Sequence, residues 1–151
     1  MKRHPSLIPI SRQHHGGLLT ARLLQHGAPP YKGMPTAAAD KLAYTLQFYT
    51  DHLQAHFEIE ETTVFAAARA HSEALAEQTD VLLAEHRQLE ALIQALPQAD
   101  AATLPDKLDE VGQLLEQHIR REEREFFELL QQSLPDEKLQ LLQQLVLKHL
   151  A

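Results

Sequence analysis

Residues 56–65 read His56-Phe57-Glu58-Ile59-Glu60-Glu61-Thr62-Thr63-Val64-Phe65, and residues 118–127 read His118-Ile119-Arg120-Arg121-Glu122-Glu123-Arg124-Glu125-Phe126-Phe127. Both fit the pattern His-x3-Glu-Glu-x3-Phe. On a helix, a His and a Glu four residues apart project from one face, one turn apart. An imidazole and a carboxylate can then reach a common metal. Phe65 and Phe127 each fall nine residues after their histidine and can pack below such a site.

The segments that precede these two are also alike. One contains Ile10-Ser11-Arg12-Gln13-His14, then Ala21 and Leu24. The other contains Leu82-Leu83-Ala84-Glu85-His86, then Ile93 and Leu96. Aligning His14 with His86 matches apolar positions at −4, +7 and +10. The chain therefore reads as two copies of one unit: a helix with a single inward His, followed by a helix with His-x3-Glu. Two units packed face to face bring together four histidines, His14, His56, His86 and His118, and two glutamates, Glu60 and Glu122. Two metal ions could share the carboxylates as bridges, with two histidines on each. Imidazole with carboxylate suits iron, and also zinc or manganese. Burying charged glutamates without a partner is costly, and two carboxylates held together raise one another's pKa. Bound cations would remove both penalties and add to stability.

Apolar residues recur at three- and four-residue spacing almost throughout, and no segment alternates like a strand. Prolines and glycines divide the chain. A first helix is expected from about Ser11, as N-cap, to His26, ending at Gly27. After a loop to Pro35, a second runs from about Thr36, another N-cap candidate, to Ala70. Ser72 caps a third that reaches about Leu96. A fourth starts near Leu104, with Pro105 in its first turn where proline is tolerated, and ends near Ser133. Pro135 opens a shorter fifth, with Asp136 and Glu137 favourable to its dipole. Four long helices with short connections predict an all-α, antiparallel up-down four-helix bundle with an additional C-terminal helix. The chain is expected to be one domain over 1–151, with the bundle at about 10–132 and the last helix at about 135–150. The leucine stripe of that last helix suits a core face or a homodimer contact; its polar face is rich in Gln, unlike a membrane-surface helix.

Composition narrows the chemistry. The 151 residues carry no cysteine, which removes disulfides, thiolate metal ligands and thiol nucleophiles and is compatible with a cytoplasmic protein. Fourteen basic against 21 acidic residues give a net charge of −7. With no basic stripe, nucleic acid is not an expected partner. The N-terminus shows no signal-peptide pattern, and no stretch has the ~18 apolar residues of a membrane span. Ten histidines in an acidic chain without cysteine point toward hard or borderline metals.

The ordered set His14, His56-x3-Glu60, His86, His118-x3-Glu122 resembles the hemerythrin-like, or HHE cation-binding, proteins over about Ile10 to Leu130. The resemblance implies a non-haem di-iron centre, oxo- or hydroxo-bridged, that meets oxygen, nitric oxide or peroxide. His14, His56, His86 and His118 would be terminal ligands, and Glu60 and Glu122 bridges. Oxygen-carrying hemerythrins use five histidines, with a His-x3-His pair on the third helix; here Glu90 stands four residues after His86. The pattern is nearer to the hemerythrin-like domains of repair-of-iron-centres proteins, which usually carry a cysteine-bearing extra domain.

Other residues compete for roles. His15 adjoins His14, but Leu7, Ile10, Leu18 and Ala21 place the apolar face nearer His14. His52 shares a face with His56, yet its counterpart is Leu114, so a symmetrical set excludes it. Glu61 and Glu123 face sideways and could orient ligand histidines, and Glu90 is a weaker ligand candidate. His4, His26, His71 and His149 read as surface residues. Leu18, Phe57, Phe65, Leu89 and Phe127 could wall the site. The first functional reading is a di-iron protein that binds or senses oxygen or nitric oxide. A second is peroxide or nitric oxide reduction, or iron donation, at the same site. A third is a metal-free helical interaction module.

Overall fold

Proline and glycine divide the chain into five helical runs, seen in a computed structural model that describes residues 2–151. Helix α1 spans Ile8–Leu24. Helix α2 runs through 38–71, α3 spans Glu73–Ala95, α4 runs through 104–133 and α5 spans Asp136–Leu150. No strand occurs among the described residues. A single residue, Ser72, separates α2 from α3 and turns the chain back on itself; its hydroxyl accepts the Leu75 N–H at 3.2 Å, as an N-cap should. Pro105 sits in the first turn of α4 as expected. Four helices form the bundle, with α1 packed most extensively on α4 and α2 on α3. Helix α5 lies against one end of it.

Three expected helix boundaries shift. Helix α1 begins at Ile8, so Ser11 lies inside it; the Ser11 hydroxyl instead donates to Glu123 Oε2 at 2.7 Å. The same helix ends at Leu24 rather than His26, because the His26 N–H is taken by Asp109 Oδ1 of α4 at 2.8 Å. Gly27 follows at φ +74°, a conformation open to glycine. Helix α2 starts at Ala38 with Ala37 in the capping position, so Thr36 does not cap it.

Two apolar clusters make the core. One joins Leu7, Ile10, Ile59, Phe65, Leu82, Phe126 and Phe127 to the inner face of α5, through Leu139, Leu142 and Val146. The other contains Ala21, Leu53, Phe57, Leu89, Ile93, Leu115 and Ile119. Every bundle helix passes from one cluster to the other, and the predicted ligands sit at each passage. Thus His14 lies between Ile10 and Ala21, and His86 between Leu82 and Leu89. His56 and Glu60 fall between Leu53 and Val64, and His118 and Glu122 between Leu115 and Phe126. The bundle is apolar above and below and polar at one level.

Helices α2 and α4 are not α-helical throughout. Helix α2 contains π-helical turns at Tyr49–Leu53 and Glu60–Val64, and α4 contains one at Glu122–Phe126. Two of these begin at the repeated glutamates. The carbonyl of Glu60 accepts the N–H of Phe65, and that of Glu122 accepts the N–H of Phe127. The trailing phenylalanine of the sequence pattern is therefore the residue that closes each π turn. Such turns gather at functional sites. At each, the first glutamate points inward and the second toward a neighbouring helix.

Candidate metal centre

The structure brings all six predicted residues together. His14 comes from α1, His56 and Glu60 from α2, His86 from α3, and His118 and Glu122 from α4. All are buried, and Glu60, His86 and Glu122 are wholly so. Their ligand atoms form two groups, each with members within 4.8 Å of one another: His14, His56, Glu60 and Glu122, and then Glu60, His86, His118 and Glu122. The glutamates belong to both. Glu122 Oε1 lies 3.2 Å from His14 Nε2, and its Oε2 lies 3.5 Å from His118 Nε2. Glu60 Oε1 lies 3.3 Å from His56 Nε2 and 3.1 Å from His86 Nε2, and its Oε2 faces His14 Nε2 at 3.8 Å.

Several of these atoms lack hydrogen bonds. Eight buried side-chain polar atoms have no hydrogen-bond partner among the described residues, and five belong to this cluster: His14 Nε2, Glu60 Oε2, His118 Nε2 and both oxygens of Glu122. The His14–Glu122 contact is close enough for attraction but not aligned as a hydrogen bond. Buried polar atoms are normally satisfied, so a convergent set of exceptions calls for a cause. Divalent cations among nitrogen and oxygen donors would satisfy all five.

The other ring nitrogens are all engaged. His14 Nδ1 is 2.6 Å from Glu123 Oε2, and His86 Nδ1 is 2.8 Å from Glu61 Oε2. His118 Nδ1 is 2.8 Å from Glu85 Oε1, and His56 Nδ1 is 2.7 Å from Gln13 Oε1. With Nδ1–H donating to these oxygens, every Nε2 turns inward with its lone pair free to ligate. The expectation that Glu61 and Glu123 face sideways and orient histidines agrees with this geometry. Glu123 is itself fixed by Arg3 at 3.1 Å and by Ser11, while Arg87 holds Glu61.

Two of these orienting residues, Gln13 and Glu85, escape a reading based on side-chain periodicity. The repeat carries the signal, since each immediately precedes a predicted ligand, His14 or His86. Each nevertheless serves the histidine of the following helix.

Charge is balanced locally. Burial would push the His14 ring down, but the carboxylates of Glu122, Glu123 and Glu60 outweigh it and hold its pKa well above 6.5. His118 is likewise lowered by burial and raised by Glu122 and Glu85, and reaches about 10. His86 rises for the same kind of reason, through Glu60 and Glu61. Glu60 moves the other way: burial favours its neutral form, but His56 and the hydrogen bonds around it hold its pKa well below 4.5. Protons and metal ions would thus compete for the same atoms.

The remaining candidates fall outside the cluster. His15 is exposed, so the α1 residue in the site is His14. His52 is exposed at the mouth of a cavity. Glu90 accepts the Tyr49 hydroxyl at 3.2 Å and pairs with Arg87 at 2.9 Å. His26 is exposed and paired with Asp106 at 3.0 Å. His4 is half-buried, its Nδ1 2.8 Å from the Ser6 hydroxyl. Of the expected wall, Phe57 stacks on His86 with centroids 3.8 Å apart, Phe65 lies 5.2 Å from the same ring, and Phe127 stacks on His14 at 5.9 Å. Leu89 is buried and Leu18 half-buried. The cavity, about 570 Å³, runs from the surface to His14, His56 and His118. No helix among the described residues is long and apolar enough to cross a membrane.

Comparison with known proteins gives one match. The family model for the hemerythrin HHE cation binding domain covers residues 9–130. No curated protein and no solved structure gives a significant match.

Proposed function

The chain belongs to the hemerythrin HHE cation-binding domain family, and on that premise we propose that it is a non-haem di-iron protein that binds or senses oxygen or nitric oxide. His14 and His56 would hold one iron, His86 and His118 the other, with Glu60 and Glu122 shared between them. The observation that carries this reading is the convergence of five buried, unbonded donor atoms on one level of the bundle. Their chemistry, imidazole nitrogen and carboxylate oxygen without sulfur, fits iron. When bound, the iron pair would supply the redox electrons and open coordination that no side chain here offers.

The chain's own residues do the rest. Gln13, Glu61, Glu85 and Glu123 fix the rings and keep each Nε2 available. Phe57, Phe65 and Phe127 exclude water from the ring faces. The cavity beside His14 and His56 gives a small ligand a path from solvent.

Metal content and the visible spectrum of aerobically purified protein, before and after azide, test the proposal. About two irons per chain, with near-ultraviolet bands that azide shifts, would support it. Stoichiometric zinc would remove the redox role. A folded protein that takes up no metal would overturn it.

The same cavity favours a second reading. At about 570 Å³ it has room for a reductant or an iron acceptor beside the centre, which suits turnover of peroxide or nitric oxide, or passage of iron to an acceptor. Sustained turnover with a reductant would select this reading; ligand binding without turnover would select the first.

A further inference from the structure

We propose that the two metal positions differ in how firmly they hold an ion: the His86/His118 position fills first and empties last, and Gln13 sets the difference. This rests on the two-metal reading above. Three independent features of the molecule break the repeat, all in the same sense.

The first is the partner of each ring. At the His86/His118 position both Nδ1 atoms meet carboxylates, Glu61 at 2.8 Å and Glu85 at 2.8 Å. At the His14/His56 position one meets the carboxylate of Glu123, but the other meets the neutral amide of Gln13. A carboxylate behind an imidazole increases its basicity as a ligand, and losing such a partner typically lowers metal affinity about 10–100-fold. Glu85 is also buried and lies 3.5 Å from Arg121, whereas Gln13 is exposed.

The second is the packing of the rings. His86 is covered by Phe57 and Phe65. The repeat replaces Phe57 by Ile119, so His14 keeps a single phenylalanine, Phe127.

The third is access. Residues two and three after His14 are Gly16 and Gly17, while those after His86 are Gln88 and Leu89. Both glycines line the cavity beside α1: Gly16 leaves it open toward Phe48, while Gly17 admits the side chain of Ile119, 2.8 Å from where a Cβ would stand. Gln13, His14 and His56 line it; of the second position's histidines, His118 reaches it and His86 does not. An ion at the His14/His56 position therefore has both the weaker donor set and the more open way out, since both of its histidines line the cavity. Gln13 is a positioning residue here, acting through His56.

The test uses the full chain loaded anaerobically with two equivalents of 57Fe(II). Metal content and total Mössbauer area are measured first. Excess ferrozine is then added and release followed by absorbance. The expectation is two phases of one iron each, with rates about 10–100-fold apart, and two ferrous doublets that disappear in turn. Gln13→Glu should slow the fast phase toward the slow one and leave the slow one unchanged. Glu85→Gln should accelerate the slow phase. Loss of both irons in one phase, or two phases that Gln13→Glu does not move, would overturn the inference and leave the di-iron reading intact. Fewer than two irons at loading would overturn both, and shows before any release is measured.

Discussion

His14 Nδ1 and Glu123 Oε2 lie 2.6 Å apart, which makes Glu123 the residue that decides which nitrogen of His14 faces the centre of the bundle. The same carboxylate holds Arg3 from the N-terminal segment and Ser11 from α1. Glu123→Ala should lower metal affinity about 10–100-fold, as read by competition with a coloured chelator. Arg124→Ala, one residue along and exposed, should leave affinity unchanged. Equal affinities for the two variants would remove Glu123 from the site.

Adjacent histidines on α1 give a sharper test of the ligand set. His14 is buried in the cluster and His15 is exposed. His14→Ala should reduce bound metal, whereas His15→Ala should keep the full complement. Glu122→Ala, which removes two of the unbonded oxygens shared by both groups, should lose metal and lower the Tm of metal-loaded protein. Retention of two metals by Glu122→Ala would disprove its bridging role.

Acidity should govern both loading and stability. His14, His86 and His118 have pKa values above the ordinary 6.5, about 10 for His118. Each ring thus holds its extra proton more firmly than a free imidazole, and that proton must leave before the ring can ligate, so loading should release protons and affinity should rise with pH. In metal-free protein the sign is opposite. A raised histidine pKa contributes stability that is complete below about 6.5 and is lost as pH climbs through the folded value. The lowered pKa values of Glu60, Glu61 and Glu123 contribute above about 4.5 and are lost at lower pH. Chelator-treated protein should therefore be most stable between about pH 4.5 and 6.5 and weaken toward pH 10. A Tm that rises over that upper range would contradict the charge balance described.

Away from the centre, α4 packs tightly against α1 at Gly112. A Cβ there would stand 2.5 Å from the carbonyl oxygen of Ala21, which is backbone and cannot turn aside. Gly112→Ala should destabilise the protein by about 1–3 kcal/mol, measured by urea unfolding, without changing the number of metals bound.

The repeated His-x3-Glu and the single histidines preceding it carry both the bundle and its six inward residues, because helical spacing alone decides which side chains share a face. Glu61 and Glu123 are legible for the same reason, as doubled residues beside a ligand. Gln13 and Glu85 are not legible from spacing on one helix, because each serves a histidine of the next helix; only their matched places before His14 and His86 mark them. The π turns are equally hidden, since one extra residue in a turn alters no apolar period strongly enough to read. The early start of α1 does have a local signal, Pro9 in its first turn, and Ser11, standing inside the helix, gives its hydroxyl to Glu123.

The crossing of partners between the two halves has a consequence for how such a chain can be cut. Glu61 in the first half steadies His86 in the second, and Glu123 in the second steadies His14 in the first. Each candidate metal position also takes one glutamate from each half. Neither half alone contains a whole coordination sphere, so the centre is a seam between two covalently tethered protomers. Severed at Ser72, the single residue between α2 and α3, the two halves would have to reassociate to bind metal, and metal would in turn act as their glue.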